Sequence, residues 1–140
     1  MLEHVLSEDW ENGGFGLYIH WPFCAAKCPY CDFNSHVRNN IDQKQWLRSY
    51  LSEINRVSKN TSNRSLNSVF FGGGTPSLIE PWVINDILNE IKKYWKTKDI
   101  FEITLEANPG SVDAKNFKAY RSAGVNRVSM GIQSLNEKDL

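Results

Sequence analysis

Cysteine is missing from the whole 140-residue sequence except one eight-residue window, where Cys24, Cys28 and Cys31 stand together. An odd number so tightly grouped excludes the disulfide framework of a small secreted domain. No charge of either sign is in excess, because 16 Lys and Arg face 16 Asp and Glu and the formal net charge is zero. The basic surplus that a phosphate backbone selects is therefore lacking, and no nucleic-acid partner is expected. No apolar run approaches the ~20 residues that span a bilayer, so no transmembrane segment is expected either. The first fourteen residues carry Glu3, Glu8, Asp9 and Glu11 and lack the positive and apolar regions of a secretory signal, which implies a cytoplasmic location. Fixed-period repeats and low-complexity tracts are also missing. What is present is ordinary for a globular chain: 41% hydrophobic and 23% charged residues, with 12% aromatics that argue against disorder. The length suits one domain.

Strand and helix signals alternate along the chain. Gly16 to Trp21 is a short apolar run stopped by Pro22 and reads as a first strand. A loop carrying the cysteines fills residues 22 to about 38. Residues 41 to 58 place Trp46/Leu47, Tyr50/Leu51, Ile54 and Val57 on one helical stripe, with Asn40 and Gln43 resembling a capping pair at the start. A second strand, Ser68 to Phe71, runs into Gly72-Gly73-Gly74-Thr75-Pro76-Ser77. Pro81 suits the first turn of the next helix. Its stripe is Val83/Ile84, Ile87/Leu88, Ile91 and Tyr94/Trp95, and Lys92, Lys93, Lys96 and Lys98 at its end read as a solvated terminus. A third strand, Ile100 to Glu106, ends at Asn108-Pro109-Gly110. Ser111 is expected to cap a short helix through Ala114, Phe117 and Tyr120, closed by Gly124. Asn126 to Ile132 forms a fourth strand, and a fourth helix is expected to begin near Asn136. Connections of this length imply right-handed βαβ units, an α/β class and a parallel sheet.

The alternation within the strands is informative. Phe101, Ile103 and Leu105 share one face, leaving Glu102, Thr104 and Glu106 on the other. Val128, Met130 and Ile132 oppose Arg127, Ser129 and Gln133, while Leu17, Ile19 and Trp21 oppose Tyr18 and His20. A parallel sheet buried on both sides is apolar on both, and an ordinary (β/α)8 barrel fills its lumen with branched aliphatics. A polar second face suits a barrel whose lumen holds a polar ligand; a sheet with one solvent face is the competing interpretation.

Cys24-Ala25-Ala26-Lys27-Cys28-Pro29-Tyr30-Cys31 spaces its thiols as C-x3-C-x2-C. Three thiolates leave one iron of a [4Fe–4S] cube free for chemistry. Zinc completed by His20 or His36, and merely buried thiols, are the alternatives, although zinc ligands usually pair as C-x2-C. The glycine run follows a strand at the sheet end where α/β proteins bind ligands, and it lets a ligand approach the backbone. It is no Walker loop, since the Lys-Ser/Thr pair is missing, and a poor dinucleotide fingerprint.

Tyr18-Ile19-His20-Trp21-Pro22-Phe23-Cys24, continuing through Cys28-Pro29-Tyr30-Cys31-Asp32-Phe33-Asn34-Ser35, resembles the radical S-adenosylmethionine (SAM) enzymes. The resemblance is narrower to the branch holding the oxygen-independent coproporphyrinogen III dehydrogenase and the HemW-type heme chaperones. Phe70 to Ser77, Glu106-Ala107-Asn108-Pro109-Gly110 and Ser129-Met130-Gly131-Ile132-Gln133-Ser134 match later motifs of that branch in order. The family implies that Cys24, Cys28 and Cys31 ligate a [4Fe–4S] cluster whose fourth iron chelates SAM. It implies that Tyr18 and Tyr30 lie at the SAM site, that Gly73, Gly74 and Thr75 contact the methionine portion, and that Glu106 and Gln133 bind the same ligand. One electron from a reduced donor then cleaves SAM to methionine and a 5′-deoxyadenosyl radical. Dehydrogenase-like members carry a further cysteine two positions after the third ligand. Here that position is Phe33, which favours the heme-chaperone type, with heme as ligand and a heme-acceptor protein as partner, over oxidative decarboxylation of a porphyrinogen. A structural zinc module is the third alternative. Members have a six-stranded partial barrel and a C-terminal domain and are more than twice this long. The resemblance therefore implies residues 1–15 as an extension and 16–140 as an incomplete core. That core is the N-terminal part of a partial (β/α)6 TIM-like barrel with about four strands, oxidoreductase-like and inactive by itself.

Overall fold

The computed structural model describes residues 9–111 and 114–139. A one-turn helix, α1 (Trp10–Gly13), precedes strand β1 (Gly16–Trp21). Two short strands, β2 (Phe23–Cys24) and β3 (His36–Val37), pair with each other in parallel. Helix α2 (Gln43–Thr61) leads to β4 (Ser65–Gly73), and α3 (Pro81–Tyr94) leads to β5 (Lys96–Ala107). Helix α4 (Ala114–Ala123) leads to β6 (Arg127–Met130). The main sheet has the order β1-β4-β5-β6, and all three pairings are parallel. The expected α/β class with four parallel strands is thus observed.

One face of the sheet is closed by the helices. Ile19, Trp21, Val69, Phe71, Ile103 and Leu105 point from the strands into a core that Val83, Ile84, Ile87, Leu88 and Ile91 of α3 complete. Period two in the strands and the 3.6-residue stripe of α3 meet there, and water is removed from both. The other face carries a row in register, Tyr18–Phe70–Thr104–Arg127. Three of its four members are polar, as the alternation predicts; Phe70 is the exception and stacks on the Tyr18 ring at 5.8 Å. Thr104 is fully buried. Its hydroxyl donates to Glu102 Oε1 at 2.9 Å and accepts from Arg127 Nε at 2.8 Å, so a buried polar group on this face is satisfied by its neighbours.

Several boundaries differ from those read in the sequence. β4 and β5 both begin earlier than expected, because Ser65 pairs with Lys96 and Leu66 with Thr97 before a register shift at Leu66/Ser68. Ser65, Lys96 and Thr97 are polar and become strand through pairing rather than through propensity. β6 is shorter than Asn126 to Ile132. It ends at Met130 because the chain turns at 132–134, where Ser134 N–H donates to Ile132 O at 2.8 Å and Gln133 sits at φ 65°. The expected fourth helix is only a 3-10 turn at Glu137–Asp139. The expected cap at Ser111 rests on a side chain outside the described residues; Gly124, at φ 116°, closes α4 as expected.

The start of α2 is corrected as well. Asp42, not Asn40, is the N-cap, and its carboxylate accepts from Gln45 N–H at 3.0 Å. Gln43 is drawn away from any capping role: its amide donates to Leu78 O at 3.0 Å and accepts from Glu80 N–H at 2.8 Å. It ties the start of α2 to the segment after the glycine run. Asp42→Ala is expected to lower unfolding free energy by about 1 kcal/mol, whereas Asn40→Ala leaves it within about 0.5 kcal/mol; urea titration of both variants checks the assignment.

Candidate cofactor site at the C-terminal sheet edge

The loops following β1, β4, β5 and β6 converge at one edge of the sheet. There the glycine run is stitched to the cysteine segment. Gly74 N–H donates to Trp21 O at 2.7 Å and Thr75 N–H to Phe23 O at 2.8 Å, which extends strand pairing past the end of the main sheet. On the opposite side, His36 N–H donates to Pro22 O at 2.7 Å and Arg38 N–H to Cys24 O at 3.3 Å. Backbone bonds therefore hold the Cys24 segment from both flanks. β2 and β3 leave no mark in the residue pattern, since two-residue strands carry no periodicity.

Two glycines explain the close fit. Gly73 has φ 120°, a conformation that favours glycine, and a Cβ there would lie 2.6 Å from Trp21 O. A Cβ on Gly74 would lie 2.6 Å from Phe23 O and 2.9 Å from Cys24 Sγ. Gly73 N–H donates to Glu106 Oε2 at 3.1 Å, so the carboxylate at the end of β5 fixes the turn in the glycine run. Thr75 and Ser77 are buried. The Tyr120 hydroxyl of α4 donates to Ser77 O at 2.6 Å and Ile79 O at 3.0 Å, pinning the turn from below. Burial, with the Glu80 charge adding, pushes the Tyr120 phenol up to about 12, so it stays a donor at neutral pH.

A cavity of about 220 Å³ opens between these loops. Gly73, Gly74, Thr75 and Glu106, all expected at a ligand site, line it together. Asn108, Ser129 and Gly131 join them, as does Phe33 from the cysteine loop. Asn108 and Ser129 lie in motifs visible in the sequence, but nothing in their spacing singled them out. Tyr18 stands beside this edge, exposed; burial and then the Glu106 charge raise its phenol above the ordinary value. Gln133 is not in the lining. It lies beyond the end of β6, and its amide folds back to within 3.0 Å of where a Gly131 Cβ would be.

The three thiols are unequal: Cys24 is buried, Cys31 half-buried and Cys28 exposed. Cys31 N–H donates to Cys28 O at 3.0 Å, forming a turn between them, and His20 Nε2 bonds Asn34 O at 3.0 Å to fasten the loop end. A hydrogen bond with the Cys28 thiol raises the exposed Tyr30 phenol above its usual value. Among the described residues, no three His, Cys, Asp or Glu side chains converge on one point where a single metal ion would sit. A multi-iron cluster takes each thiolate on a different iron, so three thiols spread along one loop fit it by their chemistry and number. Among the described residues, Glu106 is the one acidic side chain that lines the cavity.

A parallel sheet with thiols in the first loop and glycines in the second defines a protein class. The family model for the radical SAM superfamily matches residues 18–140, and the chain belongs to that superfamily. Within it, the chain is similar to the heme chaperone HemW of Haemophilus influenzae, with 49% identity over 129 residues, covering 89% of this chain and 34% of that protein. It is 40% identical over 125 residues to the heme chaperone HemW of Escherichia coli, again covering 89% of this chain and 33% of that one. Among solved structures it resembles coproporphyrinogen III oxidase (HemN) of Escherichia coli, a radical SAM enzyme, with a TM-score of 0.79 and 27% identity over 88% of this chain and 29% of that one. The barrel interpretation of the polar sheet face is therefore upheld, as the N-terminal part of that fold. The chain spans about a third of the length of the curated relatives it matches. No described helix is long and apolar enough to cross a membrane.

The fit at Gly74 is directly testable with a thiol reagent. In the wild-type chain Cys28 and Cys31 are expected to react quickly and Cys24 slowly. Gly74→Ala is expected to expose Cys24, giving three fast thiols, and to cost about 1–3 kcal/mol of stability through overpacking.

Proposed function

We propose that the chain is the N-terminal part of a HemW-type heme chaperone: a radical SAM protein that binds heme and delivers it to an acceptor protein. The observation that carries this reading is the cysteine loop seated on the glycine run, with Phe33 at the rim of the cavity. Phe33 stands where dehydrogenase-like members have a further cysteine. The HemW relatives at 40% and 49% identity support the same choice over the HemN neighbour at 27%. Oxidative decarboxylation of a porphyrinogen is the second reading, favoured only by the structural likeness to HemN.

Each residue has a proposed task. Cys24, Cys28 and Cys31 hold the [4Fe–4S] cluster, which with SAM supplies one-electron cleavage chemistry when both are bound. Gly73, Gly74 and Thr75 offer backbone and hydroxyl groups to the methionine portion of SAM. Glu106 holds the Gly73 amide at 3.1 Å and keeps a second carboxylate oxygen for the ligand's ammonium group. Tyr18 and Tyr30 flank the ligand, and Gln133 reaches it over Gly131. Residues 16–140 form the core and 1–15 an extension. A reduced electron donor, the heme and its acceptor belong to the whole protein, as does a cytoplasmic location.

Anaerobic reconstitution is expected to yield about four iron and four sulfide per chain. Replacing Cys24, Cys28 or Cys31 by Ala is expected to abolish or severely degrade that content. Stoichiometric zinc without sulfide, in protein made under iron-replete anaerobic conditions, would falsify the cluster and return the loop to a structural zinc site.

A further inference from the structure

The turn that follows the glycine run is held by two side chains that do not reach the cavity. Three consecutive peptide units, each rigid and planar, are tied at both ends. In the unit joining Ser77 and Leu78, the carbonyl accepts from the Tyr120 hydroxyl at 2.6 Å and the N–H donates to Thr75 O at 2.9 Å. In the next, Leu78 O accepts from the Gln43 amide at 3.0 Å and Ile79 N–H donates to Pro76 O at 3.0 Å. In the third, Ile79 O accepts from the same Tyr120 hydroxyl at 3.0 Å, and Glu80 N–H donates to Gln43 Oε1 at 2.8 Å. Tyr120 comes from α4 and Gln43 is the first residue of α2; neither lines the cavity.

We propose that Tyr120 is a positioning residue for the ligand at the glycine run, acting through this chain of peptide planes, with Gln43 as its counterpart on α2. The inference rests on the SAM site proposed above and names a residue outside that site which sets its affinity.

The coupling is mechanical. Ser77 and Ile79 are 4% and 0% exposed, and carbonyls in so buried a turn require a donor. Tyr120 is itself only 3% exposed, with its ring packed into the hydrophobic core. A donor on so fixed a ring dictates where both carbonyls point. Orienting the Ser77 carbonyl aims the Leu78 N–H at Thr75 O, because both groups belong to one plane. Thr75 N–H is bonded in turn to Phe23 O at 2.8 Å and Gly74 N–H to Trp21 O at 2.7 Å. The path therefore runs from the Tyr120 hydroxyl to the Gly74–Thr75 backbone, which lines the cavity and packs on Cys24. The apolar stripe of α4 accounts for the ring at this position; the hydroxyl answers to the turn.

Two readouts on Tyr120→Phe, which keeps the ring and removes the donor, test the assignment. One is the rate at which Cys24 reacts with a thiol reagent in the cluster-free chain. The other is the SAM dissociation constant of the anaerobically reconstituted chain, read from the cluster's spectrum. Ile91→Val trims the core toward the end of α3 that leads into the start of β5, away from the site, and controls for a general loss of stability. Tyr120→Phe is expected to speed Cys24 labelling about tenfold through local opening. It is also expected to weaken SAM binding about three- to tenfold at unchanged iron content. Gln43→Ala is expected to move both readouts the same way by about threefold, so the test does not depend on one variant folding. Ile91→Val is expected to leave both within about twofold of wild type. Cys24 labelling in Tyr120→Phe and Gln43→Ala no faster than in Ile91→Val overturns the proposal. So does unchanged SAM affinity in Tyr120→Phe when the wild type binds SAM. If the reconstituted wild type binds no SAM, the SAM site falls and this inference with it, an outcome distinct from the other two.

Discussion

The structure depends on one close approach: the backbone of Gly74 lies against the Phe23 carbonyl and the Cys24 thiol, where a Cβ would come within 2.6 and 2.9 Å. Only a chain without a side chain at that position lets Thr75 N–H reach Phe23 O and carry the pairing of β1 and β4 beyond the main sheet. The consequence is geometric. A cysteine that would otherwise sit on a free loop is buried and held beside the glycine amides. The proposed ligand of a cluster and the proposed contacts of a small molecule thus share one rigid frame, and a site on such a frame keeps its geometry.

The same edge shows how the polar face of the sheet is used. Near the middle of the strands, Glu102, Thr104 and Arg127 satisfy one another and leave little for a ligand. At the C-terminal ends, Glu106 spends one oxygen on the Gly73 amide and faces the cavity. The polar side of one sheet is therefore divided into a self-satisfied interior and a cavity-facing rim. On the helix side the cover is uneven. α3 buries the centre completely, whereas Val128 and Met130 of β6 remain 36% and 40% exposed, and Ile132 just beyond it 48%. Exposed apolar groups on a sheet's edge strand favour association with further chain.

Much of this was legible in the residues. Alternation in Ile100 to Glu106 marked Ile103 and Leu105 as core and Glu106 as rim, and the 3.6-residue stripe of α3 named its buried face. The cysteine spacing and the glycine run, with the motifs after them, carry the resemblance to the superfamily in the residues alone. What escaped detection depends on partners distant in sequence. β2 and β3 exist because Pro22 and Cys24 carbonyls find amides at His36 and Arg38. Gln43 looked like a cap because its partners, Leu78 and Glu80, lie more than thirty residues away. Gln133 was expected on a strand by extrapolated alternation, but the chain turns first, at Ile132 to Ser134. Phe70 broke the polar pattern because Tyr18 across the pair offered it a ring to stack on.

On the proposed function, cysteine loop and glycine run form one site rather than two neighbouring ones. The most direct measurement is the electron paramagnetic resonance spectrum of the anaerobically reconstituted, reduced chain with and without SAM. A single site is expected to shift the cluster's g values when SAM is added. Glu106→Ala is expected to reduce the shift while iron content stays unchanged. A cluster spectrum indifferent to saturating SAM, in wild-type chain with a full iron complement, would contradict it.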